Sequence, residues 1–154
     1  MPTIVSNIVE VCVFRKRQKP EFLILKRAQD DKIYPGAWQL ISGSVEPREK
    51  ALDAAIRELR EETQLEPKRF WTAPLINAFL VPHDDIVHLT TVFAAEIGDD
   101  AHPKLSMEHE EFRWVDSTEA ISTLLWPGQK KAVQVVQEYI LGSTVAAQFT
   151  EIPL

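Results

Sequence analysis

Two hydrophobic periods alternate along the chain. The segments TIVSNIVEVCVF (3–14) and EFLILKR (21–27) run apolar or alternate with β-branched residues, and the polar RKRQKPE between them is a turn, which predicts paired strands. A polar loop with a Pro-Gly pair, AQDDKIYPGA, precedes WQLISGSVE, which has the pattern of one short strand ending in a glycine turn. From Pro47 to Leu65 the period becomes helical, with Leu52, Ala55, Ile56, Leu59 and Thr63 on the predicted buried face. Pro47 suits a first helical position, and Glu49 falls in the first turn, where the dipole favours it.

The second half repeats the alternation. FWTAPLINAFLV and IVHLTTVFAAEI are predicted as long strands joined around PHDD, and EFRWVD as a last short strand. STEAISTLL begins like a capped helix, with Ser117 or Thr118 as candidate N-cap, and GQKKAVQVVQEYIL is an amphipathic helix. Few order signals follow Gly142, so the tail is expected to be mobile or to pack on a partner. The expected fold class is α/β: a mixed sheet with helices around it, in an α/β/α arrangement.

Composition narrows the chemistry. The 154 residues suit one domain with a full core, and a net charge of −6 argues against gripping a nucleic-acid polymer, which needs a basic face. Cys12 is the only cysteine, so no intrachain disulfide forms and a reducing cytoplasm is the expected location. The N-terminal stretch lacks the basic flank and cleavage site of a signal peptide, and no apolar run is long enough to span a bilayer.

One stretch breaks a local rule. RELREE (57–62) gathers Glu58, Glu61 and Glu62 on one stripe near a helix end, where like charges repel by roughly 0.2–0.5 kcal/mol per pair and oppose the dipole. At about 100° per residue, Glu61 and Glu62 flank Glu58, and Ala51 and Ala54 lie on the same face one or two turns earlier, leaving room for an approach. A divalent cation relieves the repulsion, and hard Mg²⁺ prefers a few carboxylates plus phosphate oxygens. In isolation such a run is more often a solvated face, with Arg57 pairing to Glu61.

The whole string GSVEPREKALDAAIRELREETQL weighs against that reading. It resembles the Nudix box, G-x5-E-x7-R-E-U-x-E-E-x-G-U, with Gly43, Glu49, Arg57, Glu58, Leu59, Glu61, Glu62 and Leu65 in register. Gln64 stands where the family has glycine, at a helix-ending left-handed position, which questions the cap rather than the chemistry. AWQLISGSVE, MEHEEFRWVD and LLWPGQKKAVQVV are further similar to the dihydroneopterin triphosphate (dATP) pyrophosphohydrolase branch.

The resemblance implies a Nudix-type α/β/α sandwich with a mixed sheet and a loop-helix-loop box, in a domain of residues 1–142 followed by a tail at 143–154. It implies hydrolysis dependent on Mg²⁺ or Mn²⁺ of a nucleoside diphosphate linked to a further group. Glu58 and Glu62 are then the main metal ligands, with Glu61 as a further ligand or water-positioning group and the carbonyl around Gly43 completing the set. Arg57 orients the carboxylates, and Glu49, on the far side from Glu58, is a candidate tether. A further glutamate from a loop before the last strand often joins such sites, and KLSMEHEEFRW offers Glu108, Glu110 and Glu111. Strand alternation sets Glu110 and Phe112 opposite Glu111, so the loop residue Glu108 is the first choice for handling the water.

Substrate contacts are less constrained. Lys26 and Arg27 are candidates to face phosphates, Trp38 and Trp126 to stack on a base or pterin ring, and Gln129 to read its edge. Against each stands a plain structural role as an exposed pair, a core aromatic or a packing anchor. His83, His88, His102 and His109 lack zinc spacing and are expected at the surface or in loops. The expected partner is a small-molecule nucleoside or pterin triphosphate, with no membrane, and homodimerisation left open. The alternatives are a dinucleoside polyphosphate or nucleotide-sugar hydrolase, or a catalytically silent nucleotide-binding module on the same scaffold.

Overall fold

In the computed structural model, which describes residues 1–154, the strand β1 (Thr3–Arg15) lies inside the sheet, and its second half, from Val9 onward, is buried on both sides. Val9, Val11 and Val13 face one layer, Cys12 and Phe14 the other, which explains the nearly continuous apolar run. One edge of β1 pairs in parallel with β6 (Ile86–Glu96). The other pairs antiparallel with β4 (Ile41–Ser44) along residues 8–11 and with β2 (Glu21–Arg27) at Phe14 and Arg15. β2 also pairs with β3 (Trp38–Gln39) and β7 (His109–Val115), and β6 with β5 (Arg69–Val81).

Helix α1 (Ala51–Thr63) packs on the valine face, against Val9, Val11, Ile41 and Phe93. On the opposite face α2 (Ser117–Thr123) and α3 (Pro127–Val135), which runs on into a π-helical turn at Val136–Ile140, cover Cys12, Phe14, Ile24 and Trp71. The expected α/β/α sandwich with a mixed sheet is the observed fold.

Several local expectations need correction. The helix predicted from Pro47 starts at Ala51, because Glu49 is held outside it: its Oε2 accepts from Glu46 N at 2.9 Å, while Arg48 adopts a left-handed φ of 69°. The N-cap of α2 is Asp116, which accepts from Glu119 N at 2.8 Å, rather than Ser117 or Thr118. The strand predicted over residues 38–46 is split at Leu40, whose N–H donates to Gln129 Oε1 at 3.0 Å rather than to a neighbouring strand. After Gly142 the chain forms α4 (Val145–Thr150) and β8 (Glu151–Ile152). β8 pairs with β5 at Phe70 and Trp71 and so covers the start of its outer edge, with Arg69 Nε donating to Glu151 at 2.8 Å. No helix is long and apolar enough to cross a membrane.

Candidate active site

Helix α1 turns Glu58 and Glu62 inward and leaves Glu61 toward solvent. The Glu62 side chain is 4% exposed, whereas Glu61 is 58% exposed at the rim. Ala54, expected to line an open approach, is instead fully buried in the core, because this side of the helix leans on the sheet. Gly43 in β4 faces Glu58 so closely that a Cβ there would overlap the carboxylate.

Arg57 organises the group. Its Nε and Nη2 donate to the two oxygens of Glu49 at 2.8 and 2.9 Å, and its Nη1 donates to Glu58 Oε1 at 2.7 Å and Glu61 Oε2 at 3.3 Å. Nη2 also donates to the Ser44 carbonyl at 2.9 Å. The bond from Arg57 depresses the Glu49 carboxyl to about 2, and the same pairing raises Arg57 further above its usual range. Glu49 is therefore a tether that locks the guanidinium against the box.

A second segment is carried to the same place by main-chain bonds. Lys104 N donates to the Thr63 carbonyl at 2.8 Å and Ser106 N to the Glu62 carbonyl at 3.3 Å, so the loop before β7 docks on the open carbonyls at the end of α1. Ala28 N bonds the Glu108 carbonyl at 3.0 Å, fixing the loop to the end of β2. Glu62, Glu108 and His109 each then offer a ligand atom within 4.8 Å of the others.

The electrostatics of the cluster are those of a cation site. Burial pushes the Glu62 carboxyl well above the usual range, and the charges of Glu108 and Glu58 push the same way, against Arg27. Burial also raises Glu58, which Arg57 partly offsets. Glu62 Oε2 is buried with no hydrogen-bond partner. Carboxylates crowded this way fit a hard divalent ion, which reverses their repulsion.

The other sequence candidates are distributed as follows. Glu110 pairs with Lys26 at 3.1 Å and Glu111 with Arg113 at 3.0 Å, so of the three loop glutamates Glu108 alone joins the helix carboxylates. Lys26 is thus engaged, and Arg27 donates to Asp31 at 2.6 Å and the Ile33 carbonyl at 2.7 Å, so both are paired within the chain. Trp38 is half-buried with the Arg113 guanidinium 4.5 Å over its ring. Trp126 precedes α3 and meets Tyr34 edge-on at 4.8 Å. Gln129 is buried, with its oxygen bonded to Leu40 N.

Sequence reasoning missed three residues. His109, expected at the surface, is buried beneath α1, and burial lowers it to about 4, so it is neutral at physiological pH. Glu10 is a buried carboxylate on the α3 face, raised by burial and receiving a bond from Asn77 Nδ2 at 3.1 Å. A charge inside the apolar run IVEVCVF was the available signal for Glu10. Asn77, on an alternating strand, offered none.

A model of the NUDIX domain matches residues 7–139 of this chain. The octanoyltransferase of Myxococcus xanthus is 30% identical over 133 residues, 82% of this chain, but the chain spans only 35% of that protein. The nucleoside triphosphatase NudI of Klebsiella pneumoniae is 27% identical over 120 residues, covering 73% of this chain and 80% of its own. Among solved structures, a Caenorhabditis elegans Ap4A hydrolase binary complex superimposes with a TM-score of 0.76 at 21% identity, over 90% of this chain and 99% of that one. The Escherichia coli dihydroneopterin triphosphate pyrophosphohydrolase gives 0.69 at 21% identity, over 88% and 95%. With the box in register on α1 and the domain model spanning nearly the whole sheet, this chain belongs to the Nudix family of hydrolases, which act on phosphorus-containing anhydrides.

Proposed function

We propose that this chain is a Mg²⁺-dependent pyrophosphohydrolase that cleaves a nucleoside or pterin triphosphate to the monophosphate and pyrophosphate. The observation that carries this reading is the meeting of buried Glu62 with loop Glu108, beside Glu58 and Gly43. The likeness to the NudI triphosphatase supports a triphosphate substrate.

When bound, Mg²⁺ supplies Lewis acidity toward the phosphate oxygens and makes a nearby water more acidic. Glu58 and Glu62 would be the principal residues holding it, with the Gly43 carbonyl and the rim residue Glu61 completing the set. Arg57 holds Glu58 and Glu61 in one orientation through its bonds to both. Glu108 accepts the proton of the attacking water as its oxygen bonds to phosphorus, and the anhydride P–O bond breaks toward the leaving group. With Lys26 and Arg27 already paired, the phosphate charge is met mainly by the cation. The Trp126–Tyr34 pair is the aromatic surface for the ring, and Gln129 sets the wall behind it.

A panel of nucleoside triphosphates, dihydroneopterin triphosphate, diadenosine tetraphosphate and nucleotide sugars, assayed with Mg²⁺ and with EDTA, tests the reading. Pyrophosphate released from a triphosphate only with Mg²⁺ is the expected result. Cleavage confined to diadenosine tetraphosphate or nucleotide sugars moves the chain to those classes, and binding without turnover makes it a silent nucleotide-binding module.

A further inference from the structure

Beneath α1 two buried polar atoms face one another without a partner. Glu62 Oε2 and His109 Nδ1 lie 4.0 Å apart, and neither makes a hydrogen bond elsewhere. The second ring nitrogen, Nε2, is 2.9 Å from the amide nitrogen of Gln39 in β3. An amide NH₂ donates and cannot accept, so Nε2 is the acceptor and the ring proton sits on Nδ1, on the side of Glu62. The ring is held from below: His109 pairs with Arg27 across a register shift, and its N–H donates to the Ser106 carbonyl at 3.4 Å. The gap to Glu62 exceeds an ordinary hydrogen bond by about 1 Å, a distance that a small rotation of the carboxylate closes.

We propose that His109 is a positioning residue for Glu62: its Nδ1–H donates to Glu62 Oε2, leaving the other carboxylate oxygen to the cation, while Gln39 sets the tautomer that makes this bond available. The proposal rests on Glu62 being a cation ligand. Hydrogen bonds to ligating groups fix their orientation, and their loss costs about 10–100-fold in metal affinity. Only the tertiary fold assembles this relay, since Gln39, Glu62 and His109 come from a strand, a helix and a loop–strand junction.

The test uses the full chain and Mn²⁺ as probe. In ¹⁵N-histidine-labelled protein, with the signal assigned by its loss in His109→Leu, His109 should show the Nδ1–H tautomer, and Gln39→Leu should shift it toward the other. Mn²⁺ binding should weaken about 10–100-fold in His109→Leu. His109→Asn, which returns an N–H donor near the same place, should recover most of that loss. Circular dichroism without metal should show all three variants folded. An Nε2–H tautomer in the metal-free protein overturns the proposal, as does a directly coordinated nitrogen in the pulsed EPR spectrum of the Mn²⁺ complex. Unchanged Mn²⁺ affinity in His109→Leu, with Glu62→Gln weakened, overturns this proposal alone. Unchanged affinity in Glu62→Gln overturns the ligand reading beneath it, and this proposal with it.

Discussion

A methyl group on Gly43 would occupy the space taken by the Glu58 carboxylate. Gly43 has no left-handed φ, so its requirement for glycine is one of room rather than of backbone freedom. Gly43→Ala should push Glu58 out of place and cost roughly 10²-fold in turnover, the effect of a misplacement of about 1 Å. Overpacking should cost about 1–3 kcal/mol of stability. Steady-state kinetics beside a urea titration separate the two effects, and wild-type kcat/KM in this variant would contradict the relationship.

Glu62 makes stability depend on pH. Burial raises its folded pKa above the unfolded value of about 4.3. Its contribution is fully present below that unfolded value and is lost as pH rises through the folded one, because the unfolded chain has by then released the proton. Glu62→Gln should therefore flatten the fall in metal-free stability toward neutral pH, while turnover drops by orders of magnitude. Urea midpoints in EDTA, taken from acidic to neutral pH for both proteins, check this; parallel curves would count against it.

Leu59 sits one residue from Glu58 yet is fully buried against the sheet. Leu59→Ala should cost about 2–5 kcal/mol, with metal affinity per folded molecule retained. An unchanged denaturation midpoint would contradict the packing of α1.

Gln64 ends α1 in the left-handed region, φ 56°, with its N–H bonded to the Arg60 carbonyl at 2.8 Å. A side chain in that region costs about 1 kcal/mol, so Gln64→Gly should raise the unfolding free energy by about that amount without altering kcat. A loss of stability would show that the Gln64 side chain contributes more than its backbone strain.

The three loop glutamates should separate by kinetics. Glu108→Gln should lower kcat much more than it raises KM and remove the acidic limb of the pH–rate profile. Glu110→Gln and Glu111→Gln break only partly exposed pairs with Lys26 and Arg113, which solvent screens, and should turn over normally. A large kcat loss at either would move the role from Glu108.

The family, the sandwich and the helix that carries the carboxylates were legible in residues alone, because each rests on local periodicity and fixed spacing. Gly43 and Glu58 stand at box positions, and the strands around them announce themselves by alternation. What lies across the helix is a different matter. Alternation carried back from Phe112 sets Glu110 on the α1 side, but the register shift between Lys26 and Arg27 turns Glu110 outward to Lys26 and brings His109 inward. One extra residue in a strand reverses every face beyond it, and no local pattern in EHEEFRW records where that residue falls. The burial of Glu62, the pairing of Lys26 with Glu110, and the split of the predicted strand at Leu40 by Gln129 likewise depend on partners tens of residues away. Spacing along the chain determined which groups carry the chemistry, and long-range pairing decided which of them meet.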